Sequence, residues 1–137
     1  MNTFFRTCSL IVLCCTAAAA GDLCRIDEGP CTATAGGMTM TFDIAPKPVR
    51  AMRELIFSVS LREHGRRVED ASVTIDLTMP GMVMGRNVVA LQHRAEGRYG
   101  GKGVIVRCPT GKPTWKATVA ASRRSRTATA DFLFEVH

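Results

Sequence analysis

Three stretches of alternation set the limits on what this chain can fold into. Met38, Met40, Phe42 and Ile44 alternate with Thr39, Thr41 and Asp43, and Leu55, Phe57, Val59 and Leu61 alternate next. Val73, Ile75, Leu77 and Met79 then alternate with Thr74, Asp76 and Thr78. A period of two sends one set of side chains to a buried face and the other to solvent, which is the habit of a β-strand. Pro46 and Pro48 stop the first of these strands. Weaker strand signals cover residues 88–94, then Val104, Ile105 and Val106, then Trp115, Ala117, Val119 and Ala121, and last Phe132, Phe134 and Val136. No stretch carries a convincing helical period. About seven short strands at near-regular spacing predict an all-β fold, an immunoglobulin-like antiparallel β-sandwich. Trp115 reads as core. Tyr99, just after Gly97, stands where a tyrosine corner would tie a crossover between sheets, although ordinary core would suit the chain's lone tyrosine as well.

The 137 residues have room for one domain, and the start is not expected to belong to it. Residues 1–20 carry a basic Arg6, an apolar run from Leu10 to Cys15 and four alanines, the pattern of a signal peptide cleaved near Ala20. The apolar run is short for a membrane span, though an uncleaved N-terminal anchor is the other reading. Cleavage implies a periplasmic or secreted protein and removes one positive charge from the formal +6. Residues 21–37 hold Gly29, Pro30, Gly36 and Gly37 without sustained periodicity and read as an irregular leader; residues 38–137 form the domain. Cys24, Cys31 and Cys108 survive cleavage. In an oxidising compartment an odd count leaves one disulfide and one thiol, or an intermolecular bridge. Spacing does not choose between a Cys24 to Cys31 bridge, which frees Cys108, and a bridge from the leader to Cys108.

Antiparallel strands reverse at each connection, so successive loops fall at alternating ends. One end should gather residues 46–53 with Met52, the turn at residues 79–85, residues 108–113 and His137. The other should gather residues 62–70, 95–99 and 123–126, and with them His64, His93 and a basic pole of Arg62, Arg66, Arg67, Arg94, Arg98, Arg123, Arg124 and Arg126. Such a pole suits anionic lipid head groups or an acidic partner, or simply solubility. Nucleic acid is not expected as a partner of an exported chain with a single Trp and a single Tyr for stacking.

The turn itself is unusual in composition. Of seven Met, three fall within Met79-Pro80-Gly81-Met82-Val83-Met84-Gly85. Pro80, Gly81 and Gly85 mark a tight reversal, and thioethers on a turn are soft ligands that suit Cu(I) without releasing protons. Met79, Met82 and Met84 are the candidate metal ligands, with Cys108, Met52 and His137 as further donors at the same end. His93 is separated from Met84 by nine residues of strand, on the order of 30 Å at about 3.3 Å per residue, and joins only if that strand breaks. The rival reading has Met79 and Met84 capping the core and Met82 serving as an adaptable contact for a partner.

Enzyme signatures are missing: there is no G-x-S-x-G, no H-E-x-x-H and no C-x-x-C, and the outward carboxylates of Asp43, Asp76, Asp131 and Glu135 have no evident pairing for acid and base roles. A non-enzymatic role is expected. The motifs M-P-G-M-x-M-G, G-R-Y-G-G-K-G and G-K-P-T-W-K-A-T-V, in that order across residues 55–121, resemble the YtkA-like family of small exported β-sandwich domains, related to FixH-type proteins. That resemblance implies a sandwich outside the cytoplasmic membrane and an association with copper transport or oxidase metallation. A membrane-bound copper transporter or oxidase-assembly protein is the partner it implies. Only Met79, Met82 and Met84 carry over as the matching motif.

Overall fold

The structure is a computed structural model that describes residues 22–137, so the expected signal segment, residues 1–20, lies outside the described residues. It is all-β and antiparallel. The strands are β1 (Cys31–Ala35), β2 (Met38–Ala45), β3 (Glu54–Glu63), β4 (Arg66–Arg67), β5 (Ser72–Thr78), β6 (Val88–Ala95), β7 (Arg98–Val104), β8 (Thr114–Arg123) and β9 (Arg126–Glu135). The alternation read from the sequence is the alternation of burial. In β2 every apolar position from Met38 to Ile44 is buried, with partly exposed residues between them.

Three elements depart from the expectation. Strand β4 falls inside residues 62–70, read as a charged loop, and pairs with the end of β3. The leader is not irregular throughout, because Cys31–Ala35 pairs with β2 as β1. Its half-buried positions are Cys31, Ala33 and Ala35, too small to stand out against Thr32 and Thr34. The fifth expected strand, at residues 104–106, is instead β7, which ends at Val104. Its inward positions are Tyr99, Gly101 and Gly103, and two glycines carry no hydropathy signal.

Those glycines allow the fold to close. The hydrogen-bonded order is β1-β2-β3-β7-β6-β5-β8-β9, with β4 on the side of β3. Strand β6 belongs to both layers: Val88 to Leu91 pair with β5, and Gln92 to Ala95 pair with β7, with an irregularity between His93 and Ala95. At this corner the inner faces approach closely. A Cβ on Gly101 would lie 2.8 Å from the Ala90 carbonyl and 2.9 Å from Leu91, and one on Gly103 would lie 2.8 Å from Val89. Glycine inside a strand marks such an approach. Gly101→Ala is therefore expected to cost about 1–3 kcal/mol, because the obstacle is backbone and cannot rotate away. A urea titration read by tryptophan fluorescence checks this, and no change in midpoint would remove the packing account of the corner.

The two layers meet over one core. Phe42 of β2 lies 5.1 Å from Phe132 and 6.0 Å from Phe134 of β9, ring centre to ring centre. Trp115, Tyr99, Phe57 and Phe134 are fully buried. The Tyr99 hydroxyl donates to the Val68 carbonyl at 2.8 Å and accepts from the Ala71 amide at 3.1 Å. It thereby fixes the connection by which the chain leaves β4 in one layer for β5 in the other. Burial pushes this phenol above its ordinary pKa, so it keeps the proton it donates.

Strand β1 lies against β9 without a hydrogen-bonded ladder between them. The seam is closed in other ways. Gly36, in the left-handed region at φ 56°, lets the β1–β2 turn approach Ala128, to which a Cβ there would come within 3.2 Å. Further along, Leu23 forms a parallel bridge with Leu133, and the Cys24 amide donates to the Leu133 carbonyl at 2.6 Å. A disulfide between Cys24 and Cys31, with Cα atoms 6.0 Å apart, ties this segment to β1 and leaves Cys108 free.

Candidate functional site

The methionine turn is the connection from β5 to β6. Its base is closed by the Leu77 amide donating to the Asn87 carbonyl at 2.9 Å. Its tip is closed by the Met82 amide donating to the Met79 carbonyl at 3.1 Å, with Gly81 at φ 75°. That left-handed position is one glycine takes without strain. Met79 is buried and continues the inward series of Val73, Ile75 and Leu77. Met82 and Met84 are half-buried against the same core, while Val83 between them is fully exposed. The alternation around the turn thus sends the three thioethers toward the protein and one isopropyl group into solvent.

Of the other expected donors, Cys108 and His137 share a separate cleft, and Met52 lies outside its wall. The Asn87 amide group donates to the Val104 carbonyl at 3.4 Å, joining the turn to the end of β7. Beyond β7, the Met52 amide donates to the Ile105 carbonyl at 2.8 Å, the Ala51 amide to the His137 carbonyl at 3.1 Å, and the His137 amide to the Val49 carbonyl at 2.9 Å. A cleft of about 260 Å³ is lined by Ala51, Cys108, Pro113, Trp115, Val136 and His137, with no methionine in its wall. The His137 ring lies 3.1 Å from Asp27, and Met52 is 62% exposed at φ 60°.

Cys108 is buried, its sulfur 3.0 Å from the Thr110 hydroxyl. That hydroxyl holds the thiol below its ordinary pKa against the opposing effect of burial, and the backbone amides of Thr110, Lys112 and Gly111 add to it. Donors converging on one sulfur favour its anion. His93 stands at the far end, its ring 5.3 Å from that of Tyr99 in an edge-on arrangement.

Several arginines of the expected pole share an internal scaffold of carboxylates. Arg123 donates from Nε to Asp70 at 2.5 Å and from a terminal nitrogen to Glu63 at 2.7 Å, and Arg126 donates to the other oxygen of Glu63 at 2.8 Å. Glu96 lies 3.8 Å from Arg67 and 3.4 Å from Arg98. The Arg123 contact holds the Asp70 carboxyl below its usual range and raises the guanidinium in turn. Sequence reasoning named the arginines and passed over Glu63 and Asp70. The signal was present, since both lie in the charged loop at residues 62–70 that the arginines define.

Fold and sites together define a class: a disulfide-tied antiparallel β-domain with a thioether turn at one pole and a braced arginine cluster at the other. Comparison with protein-family models, with curated proteins and with solved structures finds no match for this chain. The YtkA-like resemblance accordingly rests on its three sequence motifs, and no family is assigned.

Proposed function

We propose that this is a periplasmic or secreted copper-handling protein that captures or relays Cu(I) through Met79, Met82 and Met84. The observation that carries the reading is the placement of three thioethers on the protein side of one closed turn, with Val83 between two of them turned outward. Neutral sulfur donors need no deprotonation and suit a soft monovalent ion. Partial burial of Met82 and Met84 leaves the ion reachable by the receiving protein, for which a membrane-bound copper transporter or oxidase-assembly protein is proposed. Cys108 and His137, in their own cleft at the same end, would be a separate donor pair rather than completing the methionine set.

A second reading is favoured by Val83. A fully exposed apolar residue at the tip of a turn suits a metal-free module that docks on a membrane-protein partner through the same loop. The two separate by titration with Cu(I) against a chromophoric chelator. Leucine at all three methionine positions keeps volume and is tolerated by the fold, yet removes every thioether. Copper capture predicts at least a tenfold loss of affinity, about 1.4 kcal/mol, with Val83→Ser neutral. Equal and weak competition by the wild type and the triple variant would overturn the copper site and leave the contact loop.

A further inference from the structure

We infer that the arginine pole holds a binding cleft for a phosphate-class oxyanion, independent of the methionine turn. Two hairpin turns stand side by side there. One joins β3 to β4 through His64 and Gly65, at φ 50° and 74°; the other joins β8 to β9 through Arg124 and Ser125, at φ 49° and 62°. Glu63 locks them together by accepting from Arg123 with one oxygen and from Arg126 with the other. Between the turns lies a cleft of about 510 Å³, lined by Glu63, His64, Arg66, Arg67, Arg123 and Arg124.

Four guanidinium groups and a single carboxylate line that cleft, and the carboxylate is already committed. The Glu63 side chain is 13% exposed, with both oxygens engaged. Arg123, 21% exposed, is held between Glu63 and Asp70. A guanidinium has five N–H donors, so the two contacts leave Arg123 with donors to spare in a fixed orientation. Arg66 makes no ion pair among the described residues, and Arg124 reaches Asp70 only at 4.0 Å. The result is one braced arginine at the wall and three exposed arginines at the rim, of which Arg67 lies 3.8 Å from Glu96. Several planar forks around one concavity match a tetrahedral group with three or more acceptor oxygens better than a lone carboxylate, which fills one fork.

The backbone supplies an independent sign. Two-residue hairpin loops with positive φ at both positions favour Asn-Gly, Asp-Gly or Gly-Gly. This chain places Arg124 and Ser125 there instead. Non-glycine residues held in the left-handed region cluster at functional sites, and Arg124 places a guanidinium at the cleft. The anion can come from a lipid head group or from a free phosphate, and the chemistry of recognition is the same for both.

The test titrates the purified protein with inorganic phosphate and pyrophosphate by calorimetry and, in parallel, measures co-flotation with phosphatidylglycerol and phosphatidylcholine vesicles. Arg66→Gln with Arg124→Gln removes two exposed rim charges without touching the core. Arg50→Gln with Arg53→Gln makes the same change of net charge at the methionine end, on exposed residues. The cleft predicts at least a tenfold weakening in the first pair and less than twofold in the second. Pyrophosphate binding alone identifies a free anion as the ligand; binding to phosphatidylglycerol but not phosphatidylcholine vesicles, lost in the same pair, identifies a lipid-borne one. Equal losses in both variant pairs would reduce the effect to net charge and overturn the proposal, as would no binding in any arm. Copper affinity, unchanged in both pairs, keeps this result separate from the fate of the methionine site.

Discussion

Phe42→Ala is expected to lower the stability of the domain by about 3–5 kcal/mol, the range for emptying a buried phenylalanine site. The effect is large because Phe42 is shared by both layers. It is fully buried on β2 and meets Phe132 and Phe134 of β9 across the interior. Its removal leaves a cavity that neither sheet can close alone, since β2 is held by β1 and β3 on its two sides. Against a total of roughly 5–15 kcal/mol for a domain, the loss should appear as a fall in melting temperature on the order of 10–20 °C. Phe42→Leu, which restores most of the volume, should recover more than half of it. A loss under about 1 kcal/mol would mean that the two layers do not share one core.

The second large effect concerns the leader. Serine at both Cys24 and Cys31 is expected to cost about 2–4 kcal/mol. The bridge spans a sequence separation of 7, so its effect on the unfolded chain is at the lower end of that range. The rest comes from the folded state, where Cys24 and Ile26 are buried and part of the common core. Losing the tie loosens their hold as well. Equilibrium unfolding of the wild type with and without reductant gives the same comparison without mutation. Cys108→Ala should leave the gap between oxidised and reduced protein unchanged, because Cys108 takes no part in the bridge. A gap that closed in that variant would show that Cys108 exchanges into the disulfide.

The parts of the fold that were legible in sequence are those whose buried positions are large. Met38 to Ile44 and Val73 to Met79 declare a strand by contrast between neighbours, and both are found as strands or their direct continuation. Contrast fails where packing demands small residues. Strand β1 turns Cys31, Ala33 and Ala35 inward, and β7 turns Gly101 and Gly103 inward. Their smallness reflects close approach by neighbouring elements, a fact about tertiary structure that no local period records. The same limit applied to the sites. Reversal of direction at each connection placed His137, Cys108 and the methionine turn at one end and His93 at the other. It did not say that Cys108 and His137 would share a cleft the methionines do not line. Nor did it show that Glu63, one of few carboxylates among many arginines, would bind two of them at once.

The parallel bridge from Leu23 to Leu133 has a consequence for solubility. Strand β9 is the last in its row, and the outer side of such a strand is a template on which a second chain can build. Here the residues just before the disulfide occupy part of that side, anchored by the covalent bond, by the Cys24 amide on Leu133 and by the burial of Cys24 and Ile26. Reduction would remove one of these anchors beside Leu133, on an edge where unpaired backbone groups invite another copy to add. The Cys24–Cys31 bond thus helps to cover a sheet edge as well as to hold the core.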